Sequence, residues 1–125
     1  MKFGDFRDLD VWKQCRGIRL KIFKETRNLP THEKYDLVSQ MVRASRSATA
    51  CIAEGYGRYH YQETIQFCRQ SRGSLYELID HLTAAEDSGY FTENTVKDMV
   101  LEIKKTIKIL NGYIRYLQQQ KKIGT

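Results

Sequence analysis

The chain has 125 residues, of which 41% are hydrophobic and 29% charged, and its formal net charge is +6. This length is typical of one domain with a buried core, and the hydrophobic fraction argues against disorder. The sequence has no apolar run of about 18 residues that could span a membrane, and its charged start does not look like a secretion signal. We therefore expect a single cytoplasmic domain over residues 1–125.

Two stripes of apolar residues at helical spacing predict the first two helices. The first helix covers 9–27 and stops before Pro30, and its stripe steps by three or four residues: Val11, Cys15, Ile18 and Ile22. The second covers 32–54 and is rich in small residues, which permit close packing: Ala44, Ser45, Ser47, Ala48, Thr49, Ala50 and Cys51. Gly55 follows at the position where a left-handed residue commonly ends a helix.

The third predicted helix, 62–87, contains Gly73 in its interior, where glycine costs about 1 kcal/mol relative to alanine. If the second and third helices form an antiparallel hairpin, Gly73 faces Ala44, which gives it a packing role. The same register brings Arg43 within a turn of Glu77, where the two would form an ion pair.

The fourth predicted helix, 93–119, has the most regular apolar pattern in the chain: Val96, Val100, Ile103, Ile107, Leu110, Ile114 and Leu117. Short connections make successive helices antiparallel neighbours. The predicted fold is therefore all-α, an antiparallel up-down-up-down four-helix bundle.

Ordered motifs along almost the whole chain resemble a known family. They are Phe6-Arg7-Asp8-Leu9-Asp10-Val11-Trp12, Pro30 with Glu33 and Tyr35, Gln40-Met41-Val42-Arg43-Ala44-Ser45, Ile52-Ala53-Glu54-Gly55-Tyr56-Gly57-Arg58, Gly73-Ser74-Leu75-Tyr76-Glu77-Leu78 and Gly89-Tyr90. They resemble the four-helix bundle proteins named for the intervening sequences of the 23S ribosomal RNA gene. One departure is Cys51, where that family usually has asparagine.

The resemblance implies a bacterial bundle protein that assembles into a homo-oligomer, a pentameric ring, and has no established enzymatic activity. A distant relative of the family is the accessory protein of diversity-generating retroelements, a basic pentamer that works with a reverse transcriptase and nucleic acid. The resemblance gives no mechanism.

Positive charge is concentrated in the first and last quarters of the chain. Residues 1–30 and 92–125 each carry a net +4, whereas residues 62–91 carry −3. On the fourth predicted helix, five cations fall within about 20° of one line and form what we call the lysine ridge: Lys97, Lys104, Lys108, Arg115 and Lys122. The first helix, adjacent in such a bundle, adds Lys13, Arg16, Lys21, Lys24 and Arg27. A shared basic side of this kind favours binding to a phosphate backbone, and the alternative is a solvated face that only maintains solubility.

The corner between the second and third helices combines aromatic rings with positive charge: Tyr56, Arg58, Tyr59 and Tyr61. That combination suits stacking of unpaired bases. Alternatively, these residues cover the end of the bundle or contact a neighbouring subunit. Glu54 lies at the negative end of the second helix and needs a partner, for which Arg58, Arg72 or a backbone amine is available.

The sequence offers no arrangement typical of catalysis or metal binding. His32, His60 and His81 lie at no ligand spacing, and the cysteines are expected to be reduced, buried thiols. No second carboxylate is placed to share acid–base work with Glu54. We expect no enzyme, metal or cofactor. The predicted function is binding of RNA or DNA by a homo-oligomer through helices one and four; the alternative is a scaffold that recruits a protein partner.

Overall fold

The computed structural model describes residues 4–124, and within that range the chain forms four long helices and three single-turn 3₁₀ segments, with no strand. The helices are α1 (Asp10–Glu25), α2 (Leu37–Gly57), α3 (Tyr61–Asp87) and α4 (Glu93–Gly124). The predicted domain, 1–125, also includes residues 1–3 and 125, which lie outside the described range. No described helix has the length and apolar character needed to cross a membrane.

The four helices form the predicted up-down-up-down bundle. Each packs against the next in sequence, and α4 packs back on α1. The core lies along the common axis and receives a fully buried side chain from every helix, for example Ile22, Met41, Leu75 and Leu110. The all-α bundle predicted from the apolar periodicity is confirmed.

The second helix starts and ends later than predicted, at Leu37 and Gly57 instead of 32 and 54. Thr31–Glu33 forms a separate 3₁₀ turn after Pro30. Glu33 is held outside the helix because its carboxylate accepts a hydrogen bond from the Tyr90 hydroxyl at 2.6 Å and another from the backbone N–H of Leu37 at 3.4 Å. The remaining boundaries also shift: α1 ends at Glu25 before another 3₁₀ turn, α3 starts at Tyr61 and α4 continues to Gly124.

Gly55 lies inside α2, so the prediction that it ends the helix was wrong. The left-handed residue of the corner is Tyr59, with φ 54°. Gly55 is buried against α3, and a Cβ there would lie 2.8 Å from the Cβ of Phe67 and 3.3 Å from the backbone of Thr64. The Thr64 hydroxyl donates to the Gly55 carbonyl at 2.7 Å. Glycine is needed here for the close approach of two helices and not for chain reversal.

The predicted packing of Gly73 on Ala44 was also wrong. The Ser71 hydroxyl donates to the Ala48 carbonyl at 2.7 Å, and the Ser74 hydroxyl donates to that of Ser47 at 2.9 Å. Because α2 runs past its predicted end, the point about which the hairpin folds moves along the chain and the register shifts with it. Ala44 remains buried, whereas Gly73 is exposed, with nothing within 4 Å of a Cβ built there.

The same shift removes the predicted ion pair between Arg43 and Glu77. Arg43 donates to the side chain of Gln40 at 2.7 Å, and Glu77 pairs with His81 at 2.9 Å. Both contacts lie within a single helix, so the α2–α3 seam is held by small residues and hydroxyl groups instead of by this charge pair.

The three cysteines are free thiols, but they differ in burial. Cys15 and Cys68 lie in the core, and burial raises the pKa of each thiol to about 12. Cys51 is only partly buried, with its sulfur 3.7 Å from the hydroxyl of Ser47. The expectation of buried thiols therefore holds for two of the three.

Candidate nucleic-acid interface

The lysine ridge is a continuous exposed feature of α4. All five of its side chains are exposed, and at 1.5 Å per residue the ridge extends for about 37 Å. Among the described residues, no carboxylate lies within ion-pair distance of Lys97, Lys104, Lys108 or Arg115. The charge of these four side chains is therefore not neutralised by an ion pair within residues 4–124.

Two side-chain contacts show which neighbouring helix the ridge follows. Arg72 of α3 donates to Asn111 at 2.7 Å, whereas Lys21 of α1 pairs with Glu102 at 3.2 Å. Counted around α4, the ridge lies about 20–60° from Asn111 and about 120–160° from Glu102. The ridge therefore runs beside the seam between α4 and α3.

The ridge ends in a basic cleft between α3 and α4 with a volume of about 500 Å³. The cleft is lined by Gln62, Ile65, Arg69, Gln118, Lys121 and Lys122. Lys121 donates to the side chain of Gln62 at 2.6 Å, which ties the two helices together at this end. Arg69 was missed in the sequence because the quarter that contains it is acidic overall.

The predicted basic residues of α1 are exposed but do not continue the ridge. Lys13, Arg16 and Lys24 lie on the outer face of α1, and the Arg16 guanidinium sits 5.8 Å from the centre of the Trp12 ring. The Lys21–Glu102 pair marks the α1–α4 seam, which runs between the two basic sets. A helical wheel gives the angle around α4 between the lysine ridge and the core. Which neighbouring helix lies on the ridge side depends on the handedness of the bundle, which the wheel does not contain.

An apolar strip on α4 separates the two basic sets further. Leu101, Ile109 and Tyr116 have exposed fractions of 61%, 39% and 49%. Near the start of α1, two residues of this strip, Ile109 and Tyr116, line a cavity of about 450 Å³. Its other lining residues are Asp8, Leu9, Asp10, Val11 and Tyr113. The Tyr113 and Tyr116 rings are stacked with centroids 6.2 Å apart, and the buried Tyr113 hydroxyl has no partner among the described residues.

The corner residues divide between core and surface. Tyr56 is buried in the core, while Tyr59 is 84% and Tyr61 38% exposed. Of the partners considered for Glu54, the structure shows Arg58, whose guanidinium lies 3.0 Å from the carboxylate. Tyr59 and Tyr61 therefore keep aromatic surface available at this end, whereas Tyr56 covers the end of the core.

Within the described range, no group of three His, Cys, Asp or Glu side chains could hold a metal ion.

A family model described as 23S rRNA-intervening sequence protein matches residues 7–112. The match covers α1 to α3 and most of α4, including three ridge residues, Lys97, Lys104 and Lys108, and stops before Arg115. No curated protein sequence matches the chain.

Proposed function

Because the chain belongs to the family of 23S rRNA-intervening sequence proteins, we propose that it is a non-enzymatic, homo-oligomeric bundle that binds nucleic acid, in particular RNA. The lysine ridge of α4 is the main contact surface. The exposed cations of α1, Lys13, Arg16 and Lys24, form a second contact zone on the other side of the α1–α4 seam.

The observation that carries the proposal is the set of four aligned ridge cations without ion-pair partners in the described chain. Cations held close together on a rigid helix create a positive potential, and dissolved salt screens this potential. When such cations neutralise the phosphates of a nucleic acid, they release the counterions condensed on that nucleic acid, and this release favours binding. The basic cleft that adjoins Lys122 adds Arg69 to the same surface.

The salt dependence of RNA binding tests the proposal. If each of the four unpaired cations meets one phosphate, log Kd changes with log salt with a slope of about 3. Affinity then falls about 60-fold between 50 and 200 mM salt. Reversing Lys104 and Lys108 to glutamate halves the slope, so that the loss over the same range becomes about 8-fold. Fluorescence anisotropy of a labelled RNA hairpin measures both proteins.

Lys105→Glu is the matched control for this charge reversal. Lys105 is exposed like Lys104, its neighbour in sequence, but lies about 80° around the helix from the centre of the ridge. We expect Lys105→Glu to weaken binding less than Lys104→Glu alone or Lys108→Glu alone. Absence of binding at low salt, or an equal effect of all three single reversals, would refute binding through the ridge.

Self-association is the second part of the proposal, and the apolar strip of α4 supports it. Exposed apolar side chains next to a partly apolar cavity are typical of a contact surface between proteins. Following the family resemblance, we expect a ring, and specifically a pentamer. Multi-angle light scattering at micromolar concentration measures the mass, and a monomer under these conditions would contradict this part.

The alternative function, a scaffold that recruits a protein partner without touching nucleic acid, draws on the same apolar strip. The two functions separate in a pulldown with and without nuclease. Recovery of the same partner after nuclease treatment, together with loss of recovery in Ile109→Glu, would favour the scaffold.

A further inference from the structure

A groove lies between α1 and α2, on a side of the bundle that the lysine ridge does not reach. The groove has a volume of about 410 Å³ and is lined by Phe6, Trp12, Arg19, Arg46, Thr49, Ala50 and Ala53. We propose that this groove binds one nucleotide unit, with the phosphate on the two arginines and the base on the apolar floor.

The two arginines give the groove its charge. Arg19 comes from α1 and is partly buried, while Arg46 comes from α2 and is exposed. Neither has a carboxylate within ion-pair distance in the described chain, and no acidic side chain lines the groove. Two guanidinium groups with nothing to neutralise them within the groove are suited to an anion that accepts several hydrogen bonds, as a phosphate does.

Thr49 positions this charge relative to both helices. Its hydroxyl accepts a hydrogen bond from Arg19 at 3.0 Å and lies 3.0 Å from the carbonyl of Arg46, to which it donates. Thr49 is buried as a residue, and both of these bonds are partly buried. The Arg19 guanidinium is therefore held against α2, close to the start of the Arg46 side chain, before any ligand arrives.

The floor of the groove supplies an apolar surface made of two aromatic rings set at an angle to each other. Phe6 packs edge-on against Trp12, with ring centroids 5.3 Å apart and an angle of 71° between the planes. Ala50 and Ala53 form the α2 wall, and their short side chains leave the space open. An inorganic anion would leave this surface uncovered, and an apolar molecule would leave the arginines unsatisfied. A nucleotide uses both, and the volume lies within the range of small-molecule sites.

The same chemistry is present in a free mononucleotide and in an unpaired nucleotide of an RNA strand. Trp12 provides the signal that separates them, because it is the only tryptophan in the chain and it lines the groove. Tryptophan emission is recorded during titration with uridine monophosphate, uridine, inorganic phosphate and a short oligouridine. We expect saturable change with uridine monophosphate or oligouridine, and a response at least about tenfold weaker with uridine or phosphate alone.

Arg46→Ala and Arg43→Ala form the matched pair of variants. Both arginines are exposed on α2, one turn apart, but only Arg46 lines the groove. We expect Arg46→Ala to weaken the response about tenfold or more and Arg43→Ala to leave it unchanged. Arg46→Lys keeps the charge without the planar fork and should give an intermediate value. Thermal melts check that all three variants fold.

The titrations distinguish a free nucleotide from a nucleotide of an RNA strand. A response to uridine monophosphate indicates a free nucleotide, and a response to oligouridine alone, lost in Arg46→Ala, indicates a strand. Absence of both, equal loss in the Arg43 and Arg46 variants, or phosphate binding as tight as nucleotide would overturn the proposal. Reversal of Lys104 and Lys108 must leave this response intact, so that failure of the groove and failure of the ridge are separate results.

Discussion

Two glycines in helix interiors, Gly55 and Gly73, are expected to respond to alanine in opposite directions. Alanine has the higher helix propensity, which alone favours both substitutions by roughly 0.5–1 kcal/mol. At Gly73 nothing lies within 4 Å of the new Cβ, so this gain should be retained in full. Gly73→Ala is therefore expected to stabilise the protein by about 0.5–1 kcal/mol.

At Gly55 the same methyl group enters a closed seam. Its Cβ would lie 2.8 Å from the Cβ of Phe67, an atom fixed to the backbone that no change of rotamer can move away. Relief requires α2 and α3 to separate, which also strains the 2.7 Å hydrogen bond from Thr64 to the Gly55 carbonyl. Overpacking of this kind costs about 1–3 kcal/mol, which outweighs the propensity gain. We expect a net destabilisation of about 1–2 kcal/mol.

The comparison is made by chemical and thermal unfolding of the two variants and the unchanged protein. At roughly 4 °C per kcal/mol for a domain of this size, the melting temperatures of the two variants should differ by roughly 10 °C. A Gly55→Ala protein as stable as Gly73→Ala would show that the seam accepts the methyl group, and the close-approach account of Gly55 would be wrong.

Three further predictions concern buried or paired groups. Tyr113→Phe removes a buried hydroxyl that has no partner in the described chain, so it should raise the free energy of unfolding by about 1 kcal/mol; a loss would reveal a hydrogen bond to an unobserved group. A thiol reagent at pH 8 should modify one of the three cysteines in the folded protein and all three in denaturant, since burial raises the pKa of Cys15 and Cys68 to about 12; rapid reaction of two or more would contradict their burial. The hydrogen bond from the Tyr90 hydroxyl lowers the pKa of the Glu33 carboxyl, so its charge-dependent stabilisation is complete above the unfolded pKa of about 4.3 and is lost as pH falls through the folded pKa. Tyr90→Phe should therefore lower the urea midpoint at pH 7 and have a smaller effect at pH 3, and an equal effect at both would exclude this linkage.

The bundle could be predicted from sequence because the apolar period of each helix is local information. Gly55 shows the limit of such information. Its place near the corner predicts the end of a helix, but its role depends on Phe67, which reaches it only after the helices pair. The start of α2 was misplaced for a similar reason, since Glu33 is held by Tyr90, a residue 57 positions away.

The candidate surfaces follow the same division between local and distant information. The lysine ridge was found because its spacing matches one helix. The sequence predicts α1 as the helix beside the ridge, whereas the structure shows α3, because a helical wheel does not contain the handedness of the bundle. The groove was missed because Arg19 and Arg46 belong to different helices and neither forms part of a run. They come to line one groove when α1 packs on α2, where Arg19 donates to Thr49.

Because the helix–helix interfaces of the bundle differ in extent, its helices are expected to separate in a definite order. α2 and α3 pack against each other far more extensively than α1 packs against either of its neighbours. The α2–α3 hairpin should therefore behave as the most protected cooperative unit in native-state hydrogen exchange, with α1 detaching from it at lower free energy. Since Trp12 and Arg19 travel with α1, the groove exists only while α1 is docked. A ligand bound there would slow amide exchange in α1 first, and the degree of slowing would report its occupancy.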